Sequence, residues 1–384
     1  MPFLRLLPFP LAALAVVALL PDVFPPKDFV EYWSAARVLA SGGDPYSGAD
    51  LLPVQREATG DPNLATAVSL WTPPWTLPLY LPLGWLPFGV ARWAWLFAQL
   101  LMVFAAADWL WRTYAGPPRL WFLPHLAAVL FAPTFWMVHY GQNTGFLLLG
   151  LAGFLRFRDT RPTLAGVFAA LTAVKPHLLA VVGVLLLLDS FRDRGWRVVL
   201  TGAFVLGVGA AVAVLVQPRI VEWFVHGTLH PSPEATPLHK WRLPLIAFQI
   251  RESLDPKALD PKGFWVQFVP CAVACGLMAV HRLMNGWRWS WAEQMPAAVC
   301  VSCLFAPYGG WMFDLVVLLV PTVQLLSRAR GLVGWSLVAA AVLVNAVAVQ
   351  PINLHDFGWY APILCGLWAA GVMLQRPHPP SPSP

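Results

Sequence analysis

Apolar runs long enough to cross a bilayer recur along the whole chain, from Leu4–Leu20 at the start to 359–374 near the end. A membrane span takes roughly 20 predominantly apolar residues. In lipid, backbone polar groups must be satisfied within the segment, so repeated runs of 15 to 22 apolar residues point to a bundle of membrane helices. Composition agrees: 58% of residues are hydrophobic and only 11% charged, where a soluble domain carries about a quarter. The chain therefore reads as an all-α polytopic membrane protein. Its first run follows Arg5 in the manner of a signal peptide. Its small-residue stretch Ala13-Leu14-Ala15, however, lies inside the apolar run rather than after it, which predicts an uncleaved first span.

The sequence predicts twelve spans, near 4–20, 90–111, 119–138, 143–155, 163–174, 177–188, 198–216, 265–281, 294–307, 312–326, 333–349 and 359–374. With the N-terminus inside, alternate short connections collect the arginines: Arg112 and Arg119; Arg156, Arg158 and Arg161; Arg192, Arg194 and Arg197; Arg282 and Arg288; Arg328 and Arg330; then Arg376. Three of the opposite short connections, around 139–143, 308–311 and 351–358, hold no Lys or Arg, which is the positive-inside pattern. The net charge of +6 is thus a topology signal, and no nucleic-acid partner is expected.

Two long connections, 21–89 and 217–264, fall outside. Segment 68–87 is apolar but carries Pro73, Pro74, Pro78, Pro82 and Pro87, which break a regular helix. It reads as a partly embedded piece of the first outer loop. Residues 29–41 read as a short amphipathic helix with Phe29, Trp33, Ala36 and Leu39/Ala40 on one face. One integral-membrane domain is expected over 1–376, and the Pro/Ser-rich tail 377–384 reads as disordered. Cys271, Cys275, Cys300, Cys303 and Cys365 all fall in predicted spans and read as packing residues, with neither disulfide nor zinc spacing.

Ionisable and amide side chains at membrane depth are costly and default to functional candidates. In this topology they gather on one face. Asp28, Glu31 and Tyr32 lie on the first outer loop, and His139-Tyr140-Gly141-Gln142-Asn143 joins the third and fourth spans. Lys175-Pro176-His177 joins the fifth and sixth, and His239, Lys240 and Arg242 sit in the second long loop. Tyr308 precedes Asp314 at the outer start of the tenth span, while Asn353, His355 and Asp356 occupy the last outer turn. The inner face carries mostly arginine. Plainer roles stand beside these: Asp28 and Glu31 as solvated acids, Gln142 and Asn143 as helix caps, Lys175 as a snorkelling cation, and His239, Lys240 and Arg242 as a solvated basic cluster. Asp108, one turn before Arg112, reads as half of a structural ion pair.

At these same residues the chain resembles glycosyltransferase family 87. The resemblance lies in Asp28-Phe29 with Tyr32, Ala35-Ala36, Leu39 and Gly42-Gly43-Asp44-Pro45-Tyr46; Trp71-Thr72-Pro73-Pro74 with Pro82-Leu83; and Tyr140-Gly141-Gln142-Asn143. It continues through Arg161-Pro162, Ala165-Gly166, Lys175-Pro176-His177 and Pro307-Tyr308 to Asp314. Each motif is weak alone, but the ordered set spans almost the whole chain.

The resemblance implies a glycosyltransferase C-type fold and a polyprenyl-phosphate sugar donor, typically mannose. It also implies inversion at the anomeric carbon and a glycolipid or glycan acceptor on the outer face of the cytoplasmic membrane. An attacking hydroxyl needs a base, and that role is assigned to Asp28. A departing phosphate needs positive charge, with Lys175 first, then His177 and Arg242. Gln142, Asn143 and Tyr308 are candidates for sugar hydroxyls, and Tyr140, Asp314, Glu31 and Tyr32 join the substrate-binding set. Asp28, Glu31 and Asp314 are too few carboxylates to predict a required metal, and no cofactor is expected. A transporter or flippase would show paired half-sequences and polar residues near the midplane; here no repeat is evident and the polar residues sit at the outer span ends.

Overall fold

The computed structural model describes residues 5–21, 23–24, 27–191, 195–235, 241–255, 261–350 and 354–375. His239, Lys240 and Asn353, Arg192, Arg194 and Arg376, and the tail 377–384 lie outside the described residues, as do the side chains of His355 and Asp356. The regular secondary structure of the described residues is helical. The first third contains α1 (Pro8–Leu19), α2 (Phe29–Ala40), α3 (Gly48–Thr59), α4 (Leu77–Gly84), α5 (Phe88–Thr113), α6 (Leu123–Val129) and α7 (Ala132–Tyr140). Then come α8 (Gly145–Phe157), α9 (Pro162–Leu171), α10 (Ala180–Asp189), α11 (Gly195–Val216), α12 (Ile220–Leu229) and α13 (Ile246–Leu254). The last third holds α14 (Phe268–Asn285), α15 (Trp291–Leu304), α16 (Leu319–Arg328), α17 (Gly331–Ala348) and α18 (Tyr360–Leu374).

The expected twelve spans need correction in length. Among the described residues, five helices are long and apolar enough to cross a membrane: Phe88–Thr113, Gly195–Val216, Gly263–Asn285, Gly331–Ala348 and Phe357–Leu374. A sixth forms if Pro118–Val129 and Ala132–Tyr140, bent by 53° at Leu130–Phe131, count as one span. Pro133 just past the break keeps a straight helix from running through it. The other predicted spans are helical but short. For instance, α9 and α10 have 10 residues each, about 15 Å at 1.5 Å per residue. Pro176 stands between them, and Thr172–Val174 tightens into a 3-10 turn ahead of it, so the apolar run 163–188 is cut in the middle.

The prolines of segment 68–87 keep it from forming one long helix, although Pro78 and Pro82 lie within the short α4. Pro74–Thr76 forms a 3-10 turn and α4 is only eight residues long, yet Leu77 and Tyr80 are fully buried. The expectation for 29–41 holds for the helix and fails for its amphipathic setting: among α2 residues only Arg37 and Ala40 are exposed. Its polar face is covered because α3 and α4 fold back over it. Gln55 of α3 donates to Ser34 Oγ at 3.0 Å, and Trp33 and Arg37 donate to the Leu86 and Gly84 carbonyls. One apolar core runs through α5, α7, α8, α10, α15, α16 and α18; a second lies under α2, α3 and α4. The two outer loops meet where the Ala67 N–H donates to the Glu234 carbonyl at 2.8 Å. Asp108 and Arg112 form the expected (i, i+4) pair at 2.9 Å, and all five cysteines are free.

Candidate active site

The site is assembled where α2 begins and α7 ends. Gly141 adopts φ +72°, turning the chain out of α7 so that Gln142, Asn143 and Thr144 point inward before α8 starts. A Cβ at 141 would lie 2.7 Å from Phe29 Cβ, so only glycine permits this approach of α7 to α2. Trp95 Nε1 donates to the Gly141 carbonyl at 2.8 Å, and the Asp28 N–H donates to the Tyr140 carbonyl at 2.9 Å.

Asp28 is the N-cap residue of α2, where an aspartate usually accepts from the first-turn amides. It makes no such bond: its backbone is already helical (φ −92°, ψ −15°), and the carboxylate turns away. Oδ2 instead accepts from Gln142 Nε2 at 2.8 Å. Gln142 Oε1 accepts from Tyr32 OH at 2.8 Å and from Lys175 Nζ at 2.9 Å. Because both of those partners are donors, the amide orientation is fixed and its N–H₂ must face Asp28. Lys175 Nζ then donates to Asp314 Oδ1 at 2.7 Å and sits 5.2 Å from the Phe313 ring centroid. Asp28, Gln142, Lys175 and Asp314 thus form one continuous chain of polar contacts, drawn from four separate parts of the sequence.

Two polar atoms around this chain lack partners among the described residues. Asp314 Oδ2 and Asn143 Oδ1 are buried without a hydrogen bond. Asn143 Nδ2 donates to Tyr80 OH at 2.8 Å, and the Tyr80 ring stacks on Tyr32 with centroids 4.9 Å apart. His177 lies in the turn ahead of α10, edge-on to Tyr308 at 5.7 Å. Gly309, at φ +76°, is the point where His177 and Asp314 converge: a Cβ there would stand 3.1 Å from Asp314 Oδ2 and 3.2 Å from His177 Nε2. Tyr140 lies beside Phe313 and under Lys27, whose Nζ is 5.5 Å from its ring centroid.

Burial dominates the electrostatics. It pushes the Asp28 carboxyl up to about 6, against the opposing pull of Gln142, Lys175 and Lys27. Glu31, one turn into α2, is raised well above its usual range, first by burial and then by the Asp28 charge. Burial lowers His177 to about 4, so at neutral pH its imidazole is uncharged. Among the described residues no group of three or more His, Cys, Asp or Glu side chains is placed to hold a metal ion.

Of the residues singled out in the sequence, the structure brings together Asp28, Tyr32, Gln142, Lys175 and Asp314 by direct hydrogen bonds. Asn143, Tyr140, His177 and Tyr308 line the same region, and Glu31 joins it electrostatically. Arg242 does not join: its guanidinium is exposed and paired with Glu252 of α13. Sequence reasoning missed Tyr80, whose hydroxyl holds Asn143; its only signal is its place in the proline-broken segment 68–87. It also missed the partner of Asp28, since an amide after a helix turn looks like a cap.

Comparison with curated proteins and with solved structures found no match. A family comparison did: residues 71–307, more than half of the chain, match the model of glycosyltransferase family 87. Gln142, Lys175 and His177 fall inside that stretch, with Asp28 and Asp314 on either side of it. The chain belongs to glycosyltransferase family 87 and is a membrane glycosyltransferase.

Proposed function

We propose that the chain has a glycosyltransferase C-type fold and is an inverting transferase. It moves a hexose, mannose in this reading, from a polyprenyl-phosphate donor to a lipid- or glycan-linked acceptor on the outer face of the cytoplasmic membrane. The observation that carries the proposal is the carboxylate of Asp28. Gln142 anchors it by one oxygen, while Oδ1 has no hydrogen-bond partner among the described residues. An acceptor hydroxyl there gives its proton to Asp28 as its oxygen attacks the anomeric carbon and the bond from that carbon to the phosphate oxygen breaks. The polyprenyl phosphate leaves as an anion, and Lys175 supplies the stabilising charge. Asp314 holds Lys175 in place for that role.

Burial keeps His177 neutral, so it serves as a hydrogen-bonding group rather than as the phosphate cation assigned from sequence. Arg242, engaged by Glu252, drops out of that role as well. Gln142 changes from sugar contact to positioning residue, because both ends of its amide are occupied. The unpartnered Asn143 Oδ1 and Asp314 Oδ2, with Tyr308, are acceptors suited to sugar hydroxyls. The partly embedded outer loop over this region excludes water that would hydrolyse the donor.

The test is Asp28→Asn in the full-length protein, reconstituted with a radiolabelled polyprenyl-phosphate mannose and a membrane-extract acceptor. Transfer should fall about 10²–10⁴-fold while donor binding and thermal midpoint persist. A variant that transfers sugar at the wild-type rate would remove Asp28 as the base.

A further inference from the structure

At the opposite, arginine-rich end of the bundle, a second polar cluster plays no part in the proposed reaction. Asp189, the last residue of α10, is buried and accepts from both sides: Oδ1 from Arg282 Nη2 at 3.0 Å, and Oδ2 from Arg158 Nη2 at 2.9 Å and Trp291 Nε1 at 3.1 Å. Asp159, which also meets Arg158, is exposed to solvent at 79%. Two guanidinium groups therefore share one buried carboxylate, and because Asp159 lies in solvent the buried groups alone keep an excess of positive charge.

Two donors there have no acceptor among the described residues. Arg282, with a side chain only 6% exposed, uses Nη2 on Asp189 and Nη1 on the Gly286 carbonyl, and its Nε is buried and unpartnered. Trp289 Nε1 is likewise buried and unpartnered, and the Arg282 guanidinium lies 4.9 Å from that indole ring. Adjacent orphan donors beside net positive charge call for an anionic oxygen. Trp289 is only part-buried and Arg288 next to it is exposed, which gives such a group an approach.

The same helix carries a second feature. An apolar groove of about 730 Å³ runs along α14 between α13 and α15, from Trp265 and Val269 down to Leu277 and Met278. Arg282 follows Met278 by four residues and Ala274 by eight, so groove and guanidinium share one helix face. From Val269 to Arg282 is about 20 Å at 1.5 Å per residue, which covers one leaflet of a hydrocarbon core about 30 Å thick.

We infer that this face is a binding site for an anionic phospholipid of the cytoplasmic leaflet, its headgroup phosphate at Arg282 and Trp289 and one acyl chain in the groove along α14. The positive-inside arrangement puts the arginine-rich end at that leaflet, and basic sites between membrane helices there suit anionic headgroups. Neither observation depends on the role of Asp28.

The test uses the full-length protein in nanodiscs or mixed micelles, with native mass spectrometry and thermal midpoint as readouts. Phosphatidylglycerol should remain bound and raise the midpoint by several degrees, whereas phosphatidylcholine at equal mole fraction and millimolar inorganic phosphate should not. Arg282→Gln should abolish retention. Because that change also strips a partner from Asp189, two milder variants carry the test. Trp289→Phe, which removes only the indole N–H, should weaken retention several-fold, and so should Leu277→Trp, which fills the groove. Equal retention of both phospholipids, or wild-type retention of phosphatidylglycerol in both milder variants, overturns the proposal. An equal effect from inorganic phosphate alone also overturns it, since the groove then has no part. So does retention of a polyprenyl phosphate that Leu277→Trp abolishes but Arg282→Gln and Trp289→Phe leave intact, which would assign the groove to the donor chain.

Discussion

The two buried ionic clusters of this molecule are built on opposite principles. Near the outer loops, three carboxyl groups (Asp28, Glu31 and Asp314) surround Lys175, and a carboxylate oxygen of Asp314 has no partner. At the arginine-rich end, Arg158 and Arg282 share Asp189, whose two carboxylate oxygens are both satisfied. Burial in this cluster leaves Asp28 and Glu31 reluctantly ionised, which suits proton transfer near neutral pH. A cluster in which the acid is saturated by two guanidiniums and an indole suits cross-linking, here of α8, α10, α14 and α15. The difference lies in which charge is left over, more than in burial, since both clusters are buried.

The comparison can be broken most sharply at Asp189. Asp189→Asn leaves two buried guanidinium groups facing a neutral amide and should cost about 3–5 kcal/mol of stability, read as a lowered thermal midpoint, with sugar transfer per folded molecule retained. Asp28→Asn should do the reverse on both readouts. If Asp189→Asn instead abolished transfer at an unchanged midpoint, the division of labour would be wrong.

A smaller effect is expected at Gln142. Gln142→Leu removes a hydrogen bond to a charged group, about 1.5–3 kcal/mol, and should slow transfer roughly 10–100-fold through kcat rather than donor KM. Since that bond also lowers the Asp28 pKa, the acid limb of the rate profile should move to higher pH in this variant. An unchanged limb would mean that Gln142 only packs.

The mildest probe is pH itself. With the Asp28 carboxyl near 6, the proposed base is ionised above that pH and protonated below it, so kcat/KM should fall about tenfold per unit under pH 6. Stability runs the other way: the raised pKa favours the folded form while Asp28 is protonated, and that contribution is lost as pH rises through about 6. A profile flat down to pH 4.5 would contradict the assignment.

Much of the helix placement could be read from the apolar runs, because lipid demands continuous helices. Their lengths could not. The break at Lys175-Pro176 was legible, since proline interrupts the apolar run 163–188, but the 3-10 turn Thr172–Val174 ahead of it and the shortening of α9 and α10 to 10 residues each depend on packing that hydropathy does not register. The burial of α2 was hidden because Glu31, Ser34 and Arg37 look solvent-facing until α3 and α4 cover them. Asp28, Lys175 and Asp314 stood out as costly groups at the membrane edge. The link between them did not, since nothing in Tyr140-Gly141-Gln142-Asn143 says that the first amide faces an acid 114 residues earlier.

The amide of Gln142 between Asp28 and Lys175 also acts as a spacer. Lysine placed directly against Asp28 would lower the carboxyl pKa by about 1–3 units and leave a poor base that is always ionised. One neutral side chain length of separation keeps the lysine close enough to serve a departing phosphate, yet far enough to leave the aspartate its affinity for a proton. In the proposed mechanism a glutamine at 142 thus lets one small site hold an anion-binding cation and a working base without either cancelling the other.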